Sequence, residues 1–264
     1  MMRDDWFRED RLPHIYCAGC GNGTIMNCVL EAVSKTGWDQ TKTVFLSGIG
    51  CSSRAPGYIM TDSLHTTHGR ALAFATGVKM ANPSLHVVVF TGDGDLAAIG
   101  GNHFIHACRR NIDITVVCMN NHIYGMTGGQ GSPTTPLGKT STTTPYGATE
   151  SPFDLVELAI AAGANYVARW TSFHVKQLTD AVLTGLQTPG FSLIEVRCQC
   201  PTSYGRRNKY REPVDYMNYL KSHAILKEKW ERTGQPGDEL PDDSFLVGEF
   251  VRRHRPFMGV PDEA

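Results

Sequence analysis

The chain has 264 residues, of which 41% are hydrophobic and 19% are charged, a composition that builds a buried core and excludes global disorder. Lys plus Arg number 25 and Asp plus Glu number 26, so the formal net charge of −1 does not indicate a nucleic-acid binder. The sequence has no apolar run of the roughly 18–20 residues that span a membrane, and its charged start lacks an apolar signal core. We therefore expect no membrane contact and a cytoplasmic location.

Predicted strands alternate with predicted helices along the first two thirds of the chain. The β-branched runs predict strands at 43–47, 86–91, 114–119, 165–169 and 192–196. Helical periodicity predicts helices near 24–35, 69–81, 100–110, 153–162 and 173–185. Such alternation predicts an α/β fold with a doubly wound, mostly parallel sheet that is covered by helices on both faces.

The composition changes at residue 205. Residues 205–233 contain eight basic and four acidic side chains, whereas residues 234–264 contain three basic and seven acidic ones. We interpret 1–204 as the α/β domain and 205–264 as a C-terminal helix followed by an extended arm for subunit contact. A docking face for an acidic partner is the alternative interpretation.

Two polar loops follow neighbouring predicted strands. Gly92-Asp93-Gly94 follows the strand at 86–91, and Asn120-Asn121 ends the next strand. Adjacent parallel strands would bring Asp93 and Asn121 together at the carboxyl edge of the sheet, where ligands bind. Carboxylate and amide oxygens suit Mg²⁺, and the glycines let backbone N–H groups approach a diphosphate. An EF-hand, a P-loop and a dinucleotide fingerprint all lack required residues here.

Eight cysteines are present, and several are spaced as metal ligands. Cys17-x-x-Cys20 precedes a helix, Cys51 lies in the glycine-rich loop after the first strand, and Cys198-x-Cys200 follows the last strand. Four such thiolates can bind a [4Fe–4S] cluster or a structural Zn²⁺, and spacing alone leaves both open. Cys51 is expected to lie beside the acidic loop, so a metal group bound by it would lie close to a ligand of that loop. This position suits electron transfer by a redox cluster, whereas a structural zinc ion has no need of it. Three other cysteines are predicted to be buried apolar residues: Cys28, Cys108 and Cys118.

Several short motifs occur in a recognisable order across roughly residues 13–210. They are Cys17-Ala18-Gly19-Cys20-Gly21-Asn22-Gly23, Gly48-Ile49-Gly50-Cys51-Ser52-Ser53, His68-Gly69-Arg70, Gly92-Asp93-Gly94 with Asn120-Asn121, Tyr124-Gly125-Met126-Thr127-Gly128-Gly129-Gln130 and Cys200-Pro201-Thr202. The set resembles the β subunit of 2-oxoacid:ferredoxin oxidoreductases. The resemblance implies the diphosphate-binding domain of the thiamine diphosphate fold, and it is carried by the first four fifths of the chain.

The resemblance also implies roles for particular residues. It assigns Mg²⁺ to Asp93, Asn121 and the Ile123 carbonyl. It assigns a [4Fe–4S] cluster to Cys17, Cys20, Cys51 and Cys200, with Cys198 left as an alternative to Cys200. The cofactor-binding residues it implies are Gly50, Cys51, Ser52, His68, Gly92, Asp93, Gly94, Asp95, Asn121, Ile123, Gly125 and Thr127.

Two further side chains are candidate catalytic residues. His68 is expected to hydrogen-bond phosphate or substrate, in preference to binding a metal with His65. Arg54 is expected either to meet a substrate carboxylate or to form a surface or interface salt bridge.

The activity implied by the resemblance is oxidative decarboxylation of a 2-oxoacid. Coenzyme A receives the acyl group, CO₂ leaves, and two electrons pass through the cluster to ferredoxin. An α subunit would supply the pyrimidine-binding domain, and γ and ferredoxin-like δ subunits are further expected partners. Gly128 stands where some relatives have Lys, which resembles multi-subunit enzymes that act on 2-oxoglutarate or on branched 2-oxoacids. We expect 2-oxoglutarate, with a 2-ketoisovalerate-type substrate as the alternative. A non-oxidative thiamine diphosphate decarboxylase subunit with structural zinc, and an inactive zinc-bound scaffold, are the other hypotheses.

Overall fold

The computed structural model describes residues 2–235 and 238–258. Its strands are β1 (Thr43–Ser47), β2 (Asp62–His65), β3 (His86–Gly92), β4 (Thr115–Asn120), β5 (Ile123–Tyr124), β6 (Gln130–Gly131), β7 (Tyr166–Thr171), β8 (Ser192–Arg197), β9 (Ala224–Leu226) and β10 (Phe245–Arg252). Within the described residues, eight of them form one sheet in the order β2-β1-β3-β4-β8-β7-β10-β9. The pairs from β2 to β7 are parallel, β10 runs antiparallel to β7, and β5 and β6 form a separate short hairpin.

Helices cover both faces of this sheet. They are α1 (Gly21–Ser34), α2 (Ala71–Ala81), α3 (Asp93–Ala97), α4 (Gly101–Arg110), α5 (Leu155–Ala162), α6 (Val175–Gln187), α7 (Pro213–His223) and α8 (Lys227–Thr233). One core forms beneath α1 and α6, and it takes Val88 and Phe90 from β3. The other forms beneath α2, α4 and α5, and it takes Val87 and Val89 from the same strand. The doubly wound α/β prediction is therefore confirmed.

All five predicted strands and all five predicted helices are present, with ends that differ by a few residues. The predictions missed β2, whose exposed sequence Asp62–His65 carries no apolar alternation. They also placed the first helix after the acidic loop near Gly100, whereas α3 begins at Asp93 itself. A helix of five residues is too short to display a period, which explains that error.

The C-terminal segment joins the sheet of the main domain. Residues 245–252 form β10, which pairs with β7, and β9 pairs with β10. Part of the region predicted as an extended arm thus completes the sheet of the same chain, while α7 and α8 provide the predicted helical part. The domain division at residue 204 and the subunit contact remain predictions, and residues 259–264 of the predicted arm lie outside the described part. Among the described residues, no helix has the length and apolarity needed to cross a membrane.

The sheet order places four loops next to one another. Strands β1, β3, β4 and β8 are successive parallel neighbours, with Ser47 beside Phe90 and Met119 beside Val196. Because all four run in one direction, the loops at their carboxyl ends share one edge of the sheet. These are the loops that contain Cys51, Asp93, Asn121 and Cys200.

Candidate functional site

Two adjoining cavities open at this edge of the sheet. The acidic-loop cavity, of about 230 Å³, is lined by the Gly92–Asp95 loop and by Asn121 and Ile123. The thiol cavity, of about 370 Å³, is lined by four cysteines: Cys17, Cys20, Cys51 and Cys200. The two cavities share lining residues, namely Cys51, Asn121, Gly125 and Met126. Ligands bound in the two cavities would therefore lie close together.

Asp93 is a buried carboxylate at the floor of the acidic-loop cavity. Its side chain is 2% exposed, and Thr134 Oγ1 lies 2.8 Å from Asp93 Oδ2. Burial raises the pKa of Asp93 to about 6, and hydrogen bonds from Ser132 and Thr134 only partly offset that rise. Within the described residues no Lys, Arg or His lies within 4.0 Å of this carboxylate. A cation bound in the cavity would relieve the cost of burying this charge.

The turn after β4 brings two further oxygen donors to the same cavity. Asn120 Oδ1 accepts from the His122 N–H, and Asn121 Oδ1 accepts from the Ile123 N–H, each at 3.1 Å. These bonds support a left-handed backbone at His122, where φ is 61°. The site thus combines a carboxylate with amide and carbonyl oxygens, the donor set that Mg²⁺ prefers.

Asp95, a predicted cofactor-binding residue, lines the acidic-loop cavity and also accepts hydrogen bonds from neighbouring loops. Its Oδ1 accepts from the backbone N–H groups of Ile49, at 3.1 Å, and Gly69, at 2.7 Å. Its Oδ2 accepts from the Thr91 hydroxyl at 2.8 Å. Protein donors therefore engage both oxygens, and Asp95 ties the loops after β1 and β2 to the acidic loop.

His68 lies beside this anchor. Its Nδ1 is 2.8 Å from Asp95 Oδ1, in a contact without the alignment of a hydrogen bond, and its ring lines the acidic-loop cavity. Asp95 is distant from His68 in the chain, so no local sequence pattern predicts this contact. Its neighbour His65 instead places Nδ1 3.1 Å from the Ser47 hydroxyl.

Gly48 has no room for a side chain. A Cβ on it would collide with both carboxylate oxygens of Asp95. We expect Gly48→Ala to break the Asp95 hydrogen bonds and lower the free energy of unfolding by about 2 kcal/mol or more, since unsatisfied buried groups cost about 1–3 kcal/mol each. Urea unfolding checks this, with Gly57→Ala as the matched control because a Cβ at Gly57 meets nothing within 4 Å. Equal stabilities of the two variants would contradict the anchor role of Asp95.

Tyr124 is a cavity residue that sequence reasoning did not assign to the site. Its hydroxyl donates to the Gly94 carbonyl at 3.2 Å, and its ring lies so close to Gly94 that a Cβ there would collide with it. The only signal for Tyr124 was its place in the motif before Gly125. Thr127 lines the same cavity, but its hydroxyl donates to Gln130 Oε1 at 2.6 Å, so it cannot at the same time donate to a diphosphate.

The four thiols of the thiol cavity surround a common space. Cys17 Sγ and Cys200 Sγ each lie 3.9 Å from the Thr202 hydroxyl. A Cβ placed on Gly125 would stand 3.4 Å from Cys200 Sγ and 3.7 Å from Cys51 Sγ. Burial is the main cause that raises the pKa of Cys20 to about 12 and that of Cys51 to about 11. The neighbouring thiols also raise both pKa values.

The spacing of these thiols differs from that of a single-ion site. In residues 2–235 and 238–258, no group of three or more His, Cys, Asp or Glu side chains is arranged to hold one metal ion. Zinc binds thiolates at about 2.3 Å, which brings its ligand sulfurs almost into contact. Four thiols spread around a cavity match a larger inorganic group, such as a cluster, better than one ion.

The remaining cysteines lie apart from this cavity. Cys198 is fully buried, its Sγ lies 3.8 Å from Asn22 Oδ1, and it does not line the thiol cavity. The predicted burial of three others is confirmed: Cys28, Cys108 and Cys118.

Arg54 lies at the edge of the thiol cavity. Among the described residues no carboxylate lies within 4.0 Å of its guanidinium, so no salt bridge forms within this part of the chain, and a salt bridge to a partner chain stays a prediction. It also lines a third cavity, of about 450 Å³, with Arg11 and His65. An unpaired guanidinium at such a position suits a carboxylate or phosphate ligand.

Comparisons with known proteins agree with this geometry. The family model of the thiamine pyrophosphate enzyme C-terminal TPP-binding domain matches residues 48–196. The 2-oxoglutarate synthase subunit KorB of Methanocaldococcus jannaschii is 58% identical over 95% of this chain and 92% of its own length. The 2-oxoacid:ferredoxin oxidoreductase subunit beta of Saccharolobus solfataricus is 43% identical over 89% of this chain and 82% of its own.

A solved structure is similar over almost the whole chain. It is the 2-oxoglutarate:ferredoxin oxidoreductase from Magnetococcus marinus with 2-oxoglutarate, coenzyme A and succinyl-CoA bound. It has 34% sequence identity and a TM-score of 0.86, and the match covers 98% of this chain and 87% of that one. The family model shows that this chain contains a thiamine diphosphate-binding domain. More narrowly, the chain belongs to the family of 2-oxoacid:ferredoxin oxidoreductase β subunits that includes KorB.

Proposed function

We propose that this chain is the thiamine diphosphate-binding β subunit of a 2-oxoglutarate:ferredoxin oxidoreductase. The reaction converts a 2-oxoacid and coenzyme A into acyl-CoA and CO₂, and two electrons pass singly to two ferredoxin molecules as two protons are released. The identity of 58% to a 2-oxoglutarate synthase subunit favours 2-oxoglutarate as the substrate. In the relative from Magnetococcus marinus, 2-oxoglutarate, coenzyme A and succinyl-CoA are bound.

The acidic-loop cavity fits Mg²⁺ and a diphosphate. Asp93 supplies a buried carboxylate, Asn121 an amide oxygen and Ile123 a backbone carbonyl, and all three residues line the cavity. Gly92 and Gly94 border the same space and let their backbone approach a ligand. Thiamine diphosphate, when bound, supplies an electron sink for decarboxylation, and the protein orients it.

The thiol cavity fits a [4Fe–4S] cluster bound by Cys17, Cys20, Cys51 and Cys200. The raised pKa values of Cys20 and Cys51 show that these buried thiols are protonated in the metal-free protein. Binding of iron would convert them to thiolates. The structural-zinc hypothesis is less favoured, because the described residues lack the close spacing that one ion requires. Arg54, at the mouth of this cavity, is the proposed contact for a substrate carboxylate.

The observation that carries this proposal is the shared wall of the two cavities. Cys51 and Asn121 line both of them, so an organic cofactor on one side and a cluster on the other would lie within contact range of the same residues. That proximity suits electron transfer from a cofactor-bound substrate to iron. A non-oxidative decarboxylase would gain nothing from it.

The proposal includes partner chains. The described part of this chain has one large sheet and one two-stranded hairpin and contributes the diphosphate side of the site, so an α subunit supplies the pyrimidine-binding domain. Ferredoxin receives the electrons, and γ and δ subunits complete the assembly. We propose a cytoplasmic location, since all eight cysteines are free thiols and a cluster of this kind is kept by a reducing compartment.

The test is an assay of the anaerobically purified complex. We expect bound iron and acid-labile sulfide, and reduction of a viologen that depends on coenzyme A and is fastest with 2-oxoglutarate. Preference for 2-ketoisovalerate would replace the substrate assignment but keep the reaction. A complex that contains zinc alone, or that releases CO₂ without reducing the viologen, would contradict the oxidoreductase.

A further inference from the structure

A chain of buried polar side chains runs behind the acidic-loop cavity. From Asp93 the contacts pass to Thr134, at 2.8 Å, and from Thr134 to Asn120 Oδ1, at 2.9 Å. Asn120 Nδ2 donates to Glu195 Oε1 at 2.7 Å, and Arg169 Nε donates to Glu195 Oε2 at 2.7 Å. Each of these five side chains is at most 4% exposed. Water therefore cannot replace a missing hydrogen bond in this chain.

Glu195 fixes the orientation of the Asn120 amide. A carboxylate paired with Arg169 only accepts hydrogen bonds, so the amide nitrogen of Asn120 must face Glu195. The amide oxygen of Asn120 then faces Thr134, and it also accepts from the His122 N–H. The Glu195–Arg169 pair thus holds Asn120 in one of its two amide orientations.

Thr134 has one hydroxyl hydrogen and three acceptors within reach: Asp93 Oδ2 at 2.8 Å, Asn120 Oδ1 at 2.9 Å and the Ser132 hydroxyl at 3.1 Å. A charged carboxylate is the strongest acceptor of the three. Asn120 Oδ1 already has the His122 N–H as a donor, so the Thr134 hydrogen goes to Asp93 Oδ2 when that carboxylate is charged. This bond goes to Oδ2 and so orients the carboxylate, whose Oδ1 is not engaged by Thr134.

The segment that carries Thr134 is attached to the second half of the site. The Thr134 carbonyl lies 2.8 Å from His122 Nδ1, and the Thr135 hydroxyl donates to the His122 carbonyl at 2.7 Å. One short segment therefore contacts Asp93 through the Thr134 side chain, and it contacts the turn after β4 through the Thr134 carbonyl and the Thr135 hydroxyl.

We propose that Thr134 is a positioning residue that turns Asp93 toward the metal, and that Glu195 fixes Thr134 through Asn120. This inference rests on the proposed function, since it assumes that Asp93 binds Mg²⁺. Residues that orient metal ligands typically change metal affinity by 10–100-fold when they are replaced.

The test measures metal affinity rather than turnover. In the purified complex with excess thiamine diphosphate, free Mn²⁺ is counted by electron paramagnetic resonance as a substitute for Mg²⁺. We expect Thr134→Val, which keeps the shape but removes the hydroxyl, to weaken Mn²⁺ binding about tenfold or more. Thr134→Ser, which restores a hydroxyl, should recover most of that affinity. Thr134→Ala takes the place of the valine variant if the latter does not fold.

Thr135→Val is the matched control. It removes a hydroxyl from the same segment that contacts His122 but not Asp93, so we expect it to lower the unfolding temperature and leave Mn²⁺ affinity nearly unchanged. Wild-type affinity in Thr134→Val, or equal losses in the Val and Ser variants or in the two valine variants, would overturn the positioning role. A wild-type complex that binds no Mn²⁺ would instead overturn the magnesium site of the proposed function.

Discussion

Asp93→Asn is expected to remove tight Mg²⁺-dependent binding of thiamine diphosphate. The substitution keeps the side-chain shape and an oxygen that can accept from Thr134, but it removes the charge that a divalent cation requires. We expect affinity for the cofactor to fall at least about a hundredfold, which corresponds to about 2.8 kcal/mol. Titration of the purified complex with thiamine diphosphate at fixed Mg²⁺, followed by calorimetry, measures the change.

The stability of the cofactor-free protein should change in the opposite direction. Burial raises the pKa of Asp93 to about 6. Above that pH the folded protein contains a buried charged carboxylate, which lowers its stability relative to the form with neutral Asp93. Asp93→Asn removes that cost, and its unfolding temperature at pH 8 should equal or exceed that of the wild type. Asp180→Asn, on an exposed position of α6, is the control that should change neither quantity. Retained cofactor binding in Asp93→Asn would contradict the metal assignment.

Much of the fold could be predicted because its central strands are apolar on both faces. Residues 87–90 contribute to both cores, and such a run between glycine-rich loops is typical of a buried parallel strand. The edge strand β2 could not be found this way, because all four of its residues are exposed and its pairing with β1 depends on the backbone. The strand β10 was missed for a related reason, since it pairs with β7 across a gap in sequence that no local pattern spans.

The site residues that could be predicted are likewise those whose proximity follows from the order of the strands along the chain. Asp93 and Asn121 follow consecutive strands that pair directly, so chain order alone placed them together. Glu195 contacts Asn120 only because β8 lies beside β4, and Thr134 contacts Asp93 only because 132–135 folds back onto the turn after β4. Sequence gives no sign of either event. The cofactor-binding role of Asp95 stays a prediction, and the structure adds that its Oδ1 accepts from the backbone N–H groups of Ile49 and Gly69, contacts that no local pattern predicts.

Cys198 and Cys200 are the two candidates for the fourth cluster ligand, and replacing the right one should remove most of the bound iron. Successive residues of an extended segment point to opposite sides, but residues two apart share a side, so the spacing alone favours neither cysteine over the other. The structure separates them: Cys200 lines the thiol cavity, whereas Cys198 is fully buried beside Asn22. The segment after β8 departs from regular strand geometry before Cys200, which makes this difference possible.

Cys200→Ser is expected to cost most of the bound iron and at least about tenfold in viologen reduction, because a serine hydroxyl is a poor ligand for iron at neutral pH. Thiamine diphosphate should still bind, since Cys200 does not line the acidic-loop cavity. Cys198→Ser is the matched variant, two residues away. It should keep its iron and lose at most about 1–3 kcal/mol of stability for a buried hydroxyl. Iron content, acid-labile sulfide and urea unfolding distinguish the two, and iron loss in Cys198→Ser alone would assign the fourth ligand to Cys198 and contradict the cavity geometry.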